Sequence, residues 1–176
     1  MTSPDQQDRF LSLLEEHKGI LYKVANAYCR SREDRPDLIQ EMVAQLWRAF
    51  DRYDARRSFS TWMYRIALNL AISFYRRENR RIRDTVPVDG VALDIAAADA
   101  VLHEARDDVR LLQRFINELD ELNRAIILLY LDGCGHDAIA EVVGLSNTNV
   151  ATRINRIKQR LQRNFDAAQQ AQEPSK

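Results

Sequence analysis

The stretch "FSTWMYRIALNLAISFYRRENRRIR", Phe59 to Arg83, constrains this chain more than any other part of it. At about 100° per residue, Phe59, Met63, Ile66, Leu70 and Phe74 share one apolar arc of a helix. Tyr64, Leu68, Ile72 and Tyr75 share a second arc on roughly the opposite side. Between the two runs a narrow strip of Trp62, Arg65, Asn69, Ser73, Arg76 and Arg80. Such a helix can be gripped on two sides while the strip faces out.

The rest of the chain supplies the grip. Its 176 residues suffice for one ordinary domain or two small ones, and glycine and proline are scarce, at 5 and 4. Few stretches alternate as a half-buried strand does, so the expected fold is all-α. Cys29 and Cys134 are isolated, without CxxC spacing, which predicts a reducing compartment, no disulfide framework and no zinc site. Nothing near Met1 resembles a signal peptide, and no apolar run is long enough to span a bilayer; a soluble, cytoplasmic protein is expected.

A formal net charge of zero conceals segregation. From Ala55 to Arg83 the basic residues are Arg56, Arg57, Arg65, Arg76, Arg77, Arg80, Arg81 and Arg83, against Glu78 alone. From Asp84 to Asp108 the sign reverses, with Asp84, Asp89, Asp94, Asp99, Glu104, Asp107 and Asp108 against Arg106. From Ser146 to Phe165 the chain carries Arg153, Arg156, Lys158, Arg160 and Arg163 and no acid. Two basic footprints separated by an acidic stretch suit a polyanionic partner better than solvated helix faces do.

Helical periodicity runs from about Asp5 to Arg30, through Phe10, Leu13, Leu14, Ile20, Leu21, Val24 and Tyr28, and breaks at "SREDRPD". A helix from Pro36 to Arg52 is expected to bury Ile39, Val43, Leu46 and Phe50, with Asp37, Gln40, Glu41, Ala44 and Arg48 opposite. The segment "DTVPVDGVALDIAAADA" has the composition of a linker. The expected organisation is two helical domains, 1–83 and 108–165, joined by a linker at 84–107 and followed by a polar tail at 166–176.

"HDAIAEVVGLSNTNVATRINRIKQRL" has helix-turn-helix spacing. Ala140 lets two helices cross closely, Gly144 can take a positive φ in the turn, and Val150 points back into the core. Ser146 is a good N-cap for the helix that follows. On that helix Val150, Ile154, Ile157 and Leu161 form one stripe, and Thr148, Thr152, Asn155, Arg156, Gln159 and Arg163 occupy the other side. Arginines, amides and hydroxyls without a carboxylate are what reading a duplex requires. On the Phe59 helix, an aromatic, an amide and cations in one row suit an unpaired base stacked on a ring with its backbone held. The loop ahead of it adds Arg56, Arg57 and Ser58.

These residues carry a resemblance to bacterial sigma factors of the extracytoplasmic-function type. "DLIQEMVAQLWRAFDRYD" is similar to the family's polymerase-binding segment, and "FSTWMYRIALNLAISFYRR" to its segment for recognising and melting the minus-ten element. "LDELNRAIILLYLDGCGHDAIAEVVGLSNTNVATRINRIKQRL" resembles region 4, which reads the minus-thirty-five element. The resemblance implies that Asp37, Gln40 and Glu41 dock on the β′ coiled coil of core polymerase, with the β flap as a further partner. It implies that the loop Tyr53–Ser60 with Arg56, Arg57, Ser58, Trp62, Arg65, Asn69 and Arg76 meets the minus-ten element. It implies that Thr148, Thr152, Arg153, Asn155 and Arg156 meet the minus-thirty-five element. An anti-sigma factor is a further implied partner; no cofactor, no metal and no membrane insertion are. The chain departs from the family at Leu119–Asp120, where Leu-Pro is common, and at Gly135–His136, where an N-capping residue and an aromatic are.

Two other classes fit the sequence less well. An enzyme lacks support: His17, His103 and His136 lie far apart, with no HExxH pair, no Gly-rich phosphate loop and no nucleophile setting. A stand-alone helix-turn-helix regulator would bind duplex operator DNA tightly by itself and have no use for the face of Asp37, Gln40 and Glu41.

Overall fold

The structure is a computed structural model that describes residues 4–85 and 105–172. Among the described residues there are eight α-helices, one 3₁₀ turn and no strand, so the all-α expectation holds. The chain divides into two compact units, Met1–Ile95 and Ala96–Lys176. Most of the expected linker lies outside the described residues, but both its ends are helical.

In the first unit, α1 (Pro4–His17) and α2 (Gly19–Tyr28) replace the single helix that the periodicity suggested, with the break at Lys18. Helix α3 (Arg35–Ala49) starts with Pro36 in its first turn, where the missing N–H costs nothing. A 3₁₀ turn, Phe50–Arg52, and a short loop lead into α4 (Phe59–Thr85).

Helices α2 and α3 both pack on α4. The contact is centred between the two apolar arcs, on Ala67 and Ala71, which are fully buried and let the neighbouring backbones approach. Phe59, Met63, Tyr64 and Leu68 flank them inside the core, while Ile66, Leu70, Ile72, Phe74 and Tyr75 are half-buried at its edge.

Helix α3 turns a different stripe inward from the one expected. Leu38, Met42 and Leu46 are buried, and Ile39 and Val43 are only half-buried. Apolar residues cover almost half of this helix, and packing on both α2 and α4 selects the part of that arc centred on Met42.

An aromatic cluster closes the end of the unit nearest the loop. Phe50, 5% exposed, has the rings of Phe10, Trp47, Tyr53, Phe59 and Trp62 within 6.4 Å between centroids. Cys29 is buried nearby α3, and burial, reinforced by the charges of Glu78 and Asp34, pushes its thiol up to about 11. It is a packing residue and not a nucleophile.

The second unit contains α5 (Ala105–Asn117), α6 (Glu121–Leu131), α7 (His136–Val143) and α8 (Asn147–Gln172). Ile126, Leu129, Ile139 and Val150 are fully buried, with Ile154, Ile157 and Leu161 continuing the inward stripe of α8. Phe115 meets Phe165 edge-on at 5.2 Å and pins α5 to the later turns of α8. That helix runs into the expected polar tail because "DAAQQAQ" is built of good helix formers.

Gly144 adopts φ 73 at the end of α7, and Leu145 N–H and Gly144 N–H both donate to the Ala140 carbonyl, closing the turn. Asp120, where the family commonly has proline, caps α6 by accepting from Asn123 N–H at 3.0 Å. Gly135 is the N-cap of α7 and offers no side-chain bond. Its backbone is extended, and a Cβ there meets nothing within 4 Å. Gly135→Ser should therefore raise the unfolding free energy of the second unit by about 0.5–1 kcal/mol, through the cap bond and a stiffer unfolded chain. Urea titration of the two proteins checks this.

Candidate nucleic-acid interface

The outward strip of α4 follows from the grip on its other sides. Arg65, Asn69, Ser73, Arg76 and Arg80 are exposed, and Trp62 is half-buried. One side of Trp62 is occupied: Tyr53 lies at 5.0 Å, Phe59 at 5.3 Å and Phe50 at 6.3 Å. Its remaining surface borders the strip.

The loop ahead of α4 is bonded to itself. Tyr53 Oη donates to the Arg57 carbonyl at 2.7 Å, and its ring stacks on Phe50 at 5.9 Å. Asp54 accepts from the Arg56 backbone N–H at 3.0 Å and from the Arg56 guanidinium at 2.8 Å. The guanidinium bond holds the Asp54 carboxyl below the usual carboxylate range, although Arg56 stays 90% exposed. Ser58 Oγ lies 2.7 Å from Ser60 Oγ and 3.4 Å from Thr61 N, at the N-cap position of α4. Arg57 and Ser58 are exposed. The loop thus presents its backbone and cations in a set shape.

Beside the strip, an open groove of about 580 Å³ is lined by Glu41, Leu70, Ser73, Arg76, Arg77 and Arg80. It joins the strip to the polar face of α3, where Asp37, Gln40 and Glu41 are all exposed. Glu41 accepts from Gln45 at 3.2 Å. In the second unit Thr148, Thr152, Asn155, Arg156, Gln159 and Arg163 are exposed on one side of α8, opposite the buried stripe. Ser146 Oγ caps that helix by accepting from Asn149 N–H at 3.2 Å.

Known proteins combine the same two units. Residues 13–81 match the Sigma-70 region 2 model, and residues 110–161 match the Sigma-70, region 4 model. The ECF RNA polymerase sigma-E factor of Salmonella typhimurium is 30% identical over 150 residues, covering 78% of each chain. The chain belongs to the extracytoplasmic-function sigma factors of the sigma-70 family. SigW of Bacillus subtilis is 27% identical over 168 residues, 89% of each chain. The solved structure of CnrH in complex with the cytosolic domain of CnrY matches with a TM-score of 0.67 and 26% identity, over 92% of this chain and 90% of that one.

The protein is therefore an RNA polymerase sigma factor, a DNA-binding initiation factor, and the stand-alone regulator is not favoured. No described helix is long and apolar enough to cross a membrane. Among the described residues no group of three or more His, Cys, Asp or Glu could hold a metal.

Within this sigma factor the residues expected at the DNA differ in their freedom. Arg156 and Asn155 are exposed, whereas Arg153 is half-buried and bonded to Asn149 at 3.0 Å and Asn123 at 3.1 Å. Thr152 is exposed, and its Oγ1 donates back to the Thr148 carbonyl at 2.9 Å, which commits its proton and leaves the oxygen able to accept. Sequence reasoning missed Tyr53, Asp54 and Asn123 as the groups that shape these faces. Only Asp54, two residues before Arg56, left a local trace, as an acid in a basic turn.

Proposed function

We propose that this sigma factor docks on the β′ coiled coil of core polymerase through Asp37, Gln40 and Glu41 of α3. The observation that carries the reading is the separation of faces: α3, α4 and α8 each bury one side and expose a polar side of the matching composition. Ile39 and Val43, half-buried beside Gln40, add apolar area to the docking face.

In this reading the strip Trp62, Arg65, Asn69 and Arg76, with Arg56, Arg57 and Ser58 of the loop, holds an unstacked non-template base of the minus-ten element. Thr148, Thr152, Asn155 and Arg156 enter the major groove at the minus-thirty-five element. The protein supplies recognition and strand capture and no bond chemistry of its own, and it acts in the cytoplasm. CnrH forms a complex with the cytosolic domain of CnrY; an anti-sigma factor that binds this chain is the further partner proposed here.

Retention of bacterial core polymerase by the wild type and by an Asp37→Ala, Gln40→Ala, Glu41→Ala variant tests the docking face. Loss of at least about tenfold in affinity is expected, since three polar contacts at an interface are removed at once. The helical circular dichroism should not change, because all three side chains are exposed. Equal retention by both proteins would move the docking face elsewhere.

A further inference from the structure

We propose that Arg153 sets the angle of the promoter-reading helix instead of touching DNA, and that Asn123 and Asp120 are its partners in that task. The proposal rests on the reading of α8 as the helix that meets the upstream element.

The guanidinium spans two elements. Its Nε donates to Asn149 Oδ1, one turn earlier on α8, at 3.0 Å, and its NH1 donates to Asn123 Oδ1 on α6 at 3.1 Å. Asn123 is itself fixed, because both its backbone N–H and its side-chain amide donate to the Asp120 carboxylate. Asn149 is fixed at the other end, its N–H donating to Ser146 Oγ. A continuous chain of bonds thus runs from the N-cap of α6 to the N-cap of α8. Thr148 and Thr152, at the start of the outward row, ride on the turn that this chain holds.

The position of Arg153 on the helix agrees. It lies on the flank, between the buried stripe of Val150, Ile154 and Ile157 and the exposed row of Thr152, Asn155 and Arg156. A planar fork satisfying two amide oxygens in different directions is a task that a lysine ammonium does not reproduce. A tilt of α8 would displace every base-reading side chain together, so one internal bond can govern discrimination that it never makes directly.

Holoenzyme formed with core polymerase, presented with a DNA pool randomised across the upstream element, reports discrimination as enrichment of the best sequence over the bulk. The salt dependence of binding to that best sequence counts phosphate contacts. Arg153→Ala, Arg153→Lys and Asn123→Ala should each lower enrichment by about tenfold, the equivalent of one good base contact. The Arg153→Ala, Asn123→Ala double variant should lose no more than the worse single one, because the two side chains form one link. The salt slope should stay at the wild-type value in all of them, a result that an unfolded second unit could not produce.

The proposal is overturned if Arg153→Lys behaves as wild type while Arg153→Ala flattens the salt slope by about 0.9, the signature of a lost phosphate contact. It is also overturned if Asn123→Ala leaves enrichment unchanged. Arg156→Ala separates the two levels of the reading. Loss of enrichment there with none in Asn123→Ala removes the positioning role alone, and no loss there removes the assignment of α8 as well.

Discussion

Phe50→Ala should lower the stability of the first unit by about 3–5 kcal/mol, the range for truncating a buried aromatic ring. The ring is 5% exposed and is the common neighbour of five others: Phe10 at 5.1 Å, Tyr53 at 5.9 Å, Trp47 and Trp62 at 6.3 Å, and Phe59 at 6.4 Å. Those rings come from α1, α3, the loop and α4, so no single element can move to refill the cavity without breaking its other contacts. A small domain commonly has only about 5–15 kcal/mol in all, so the variant should be near its unfolding threshold at growth temperature.

The functional consequence is more specific than instability. Tyr53 stacks on Phe50 and fastens the loop through its bond to the Arg57 carbonyl. Without the ring beneath it, the loop that carries Arg56, Arg57 and Ser58 loses its platform. At low temperature, where the unit is folded, holoenzyme with Phe50→Ala should bind promoter duplex yet open it poorly. Phe50→Leu restores much of the volume and should recover most of the stability. Urea unfolding followed by tryptophan fluorescence is the measurement, since the chain has 2 tryptophans, Trp47 and Trp62, and both pack on this ring. A loss below about 1 kcal/mol would mean that the surrounding rings collapse freely, contrary to close packing.

Arg124→Met should cost the second unit roughly 2–5 kcal/mol. Arg124 is 3% exposed, and its NH2 donates to the Asn117 carbonyl at 2.6 Å and the Leu119 carbonyl at 3.1 Å. The Asn117 carbonyl is among those that the α5 terminus leaves without an internal partner, and the Leu119 carbonyl lies in the connection just before Asp120, the N-cap of α6. Methionine fills the space and offers no donor, so the penalty is about 1–3 kcal/mol for each carbonyl left dry. Arg124→Lys should recover part of it by reaching one of the two. The tryptophans again serve as a control, because both lie in the first unit. In Arg124→Met the helical dichroism should acquire an earlier transition while the fluorescence midpoint stays in place. Coincident shifts of both signals would mean that the two units unfold together. An unmoved dichroism transition would mean that water reaches those carbonyls.

Much of this was legible in the chain because a helix repeats every few residues. The strip of α4 and the two sides of α8 needed only the period and the residue types. The turn at Gly144 and the cap at Ser146 followed from local chemistry, a positive φ and a hydroxyl three residues before an N–H. The stripe of α3 was a different case. Ile39, Val43 and Leu46 make as good a row as Leu38, Met42 and Leu46, and the sequence holds nothing to choose between them. The break at Lys18 left a single local trace, the poor helix former Gly19, while the apolar spacing continues across it.

Charges showed the same division. Composition alone placed the basic residues on two segments and kept carboxylates out of the stretch from Ser146 to Phe165. What each cation does was decided elsewhere: Arg124 by carbonyls at Asn117 and Leu119, and Arg153 by an amide 30 residues away on another helix. The sequence by itself determined an all-helical chain, its helix-turn-helix, and the outward faces of α4 and α8, because those depend on neighbours within a turn or two. Only the tertiary structure decided which side of α3 is buried and which arginines are committed to the fold, because a side chain's partner is whatever packing brings within 3 Å or so of it.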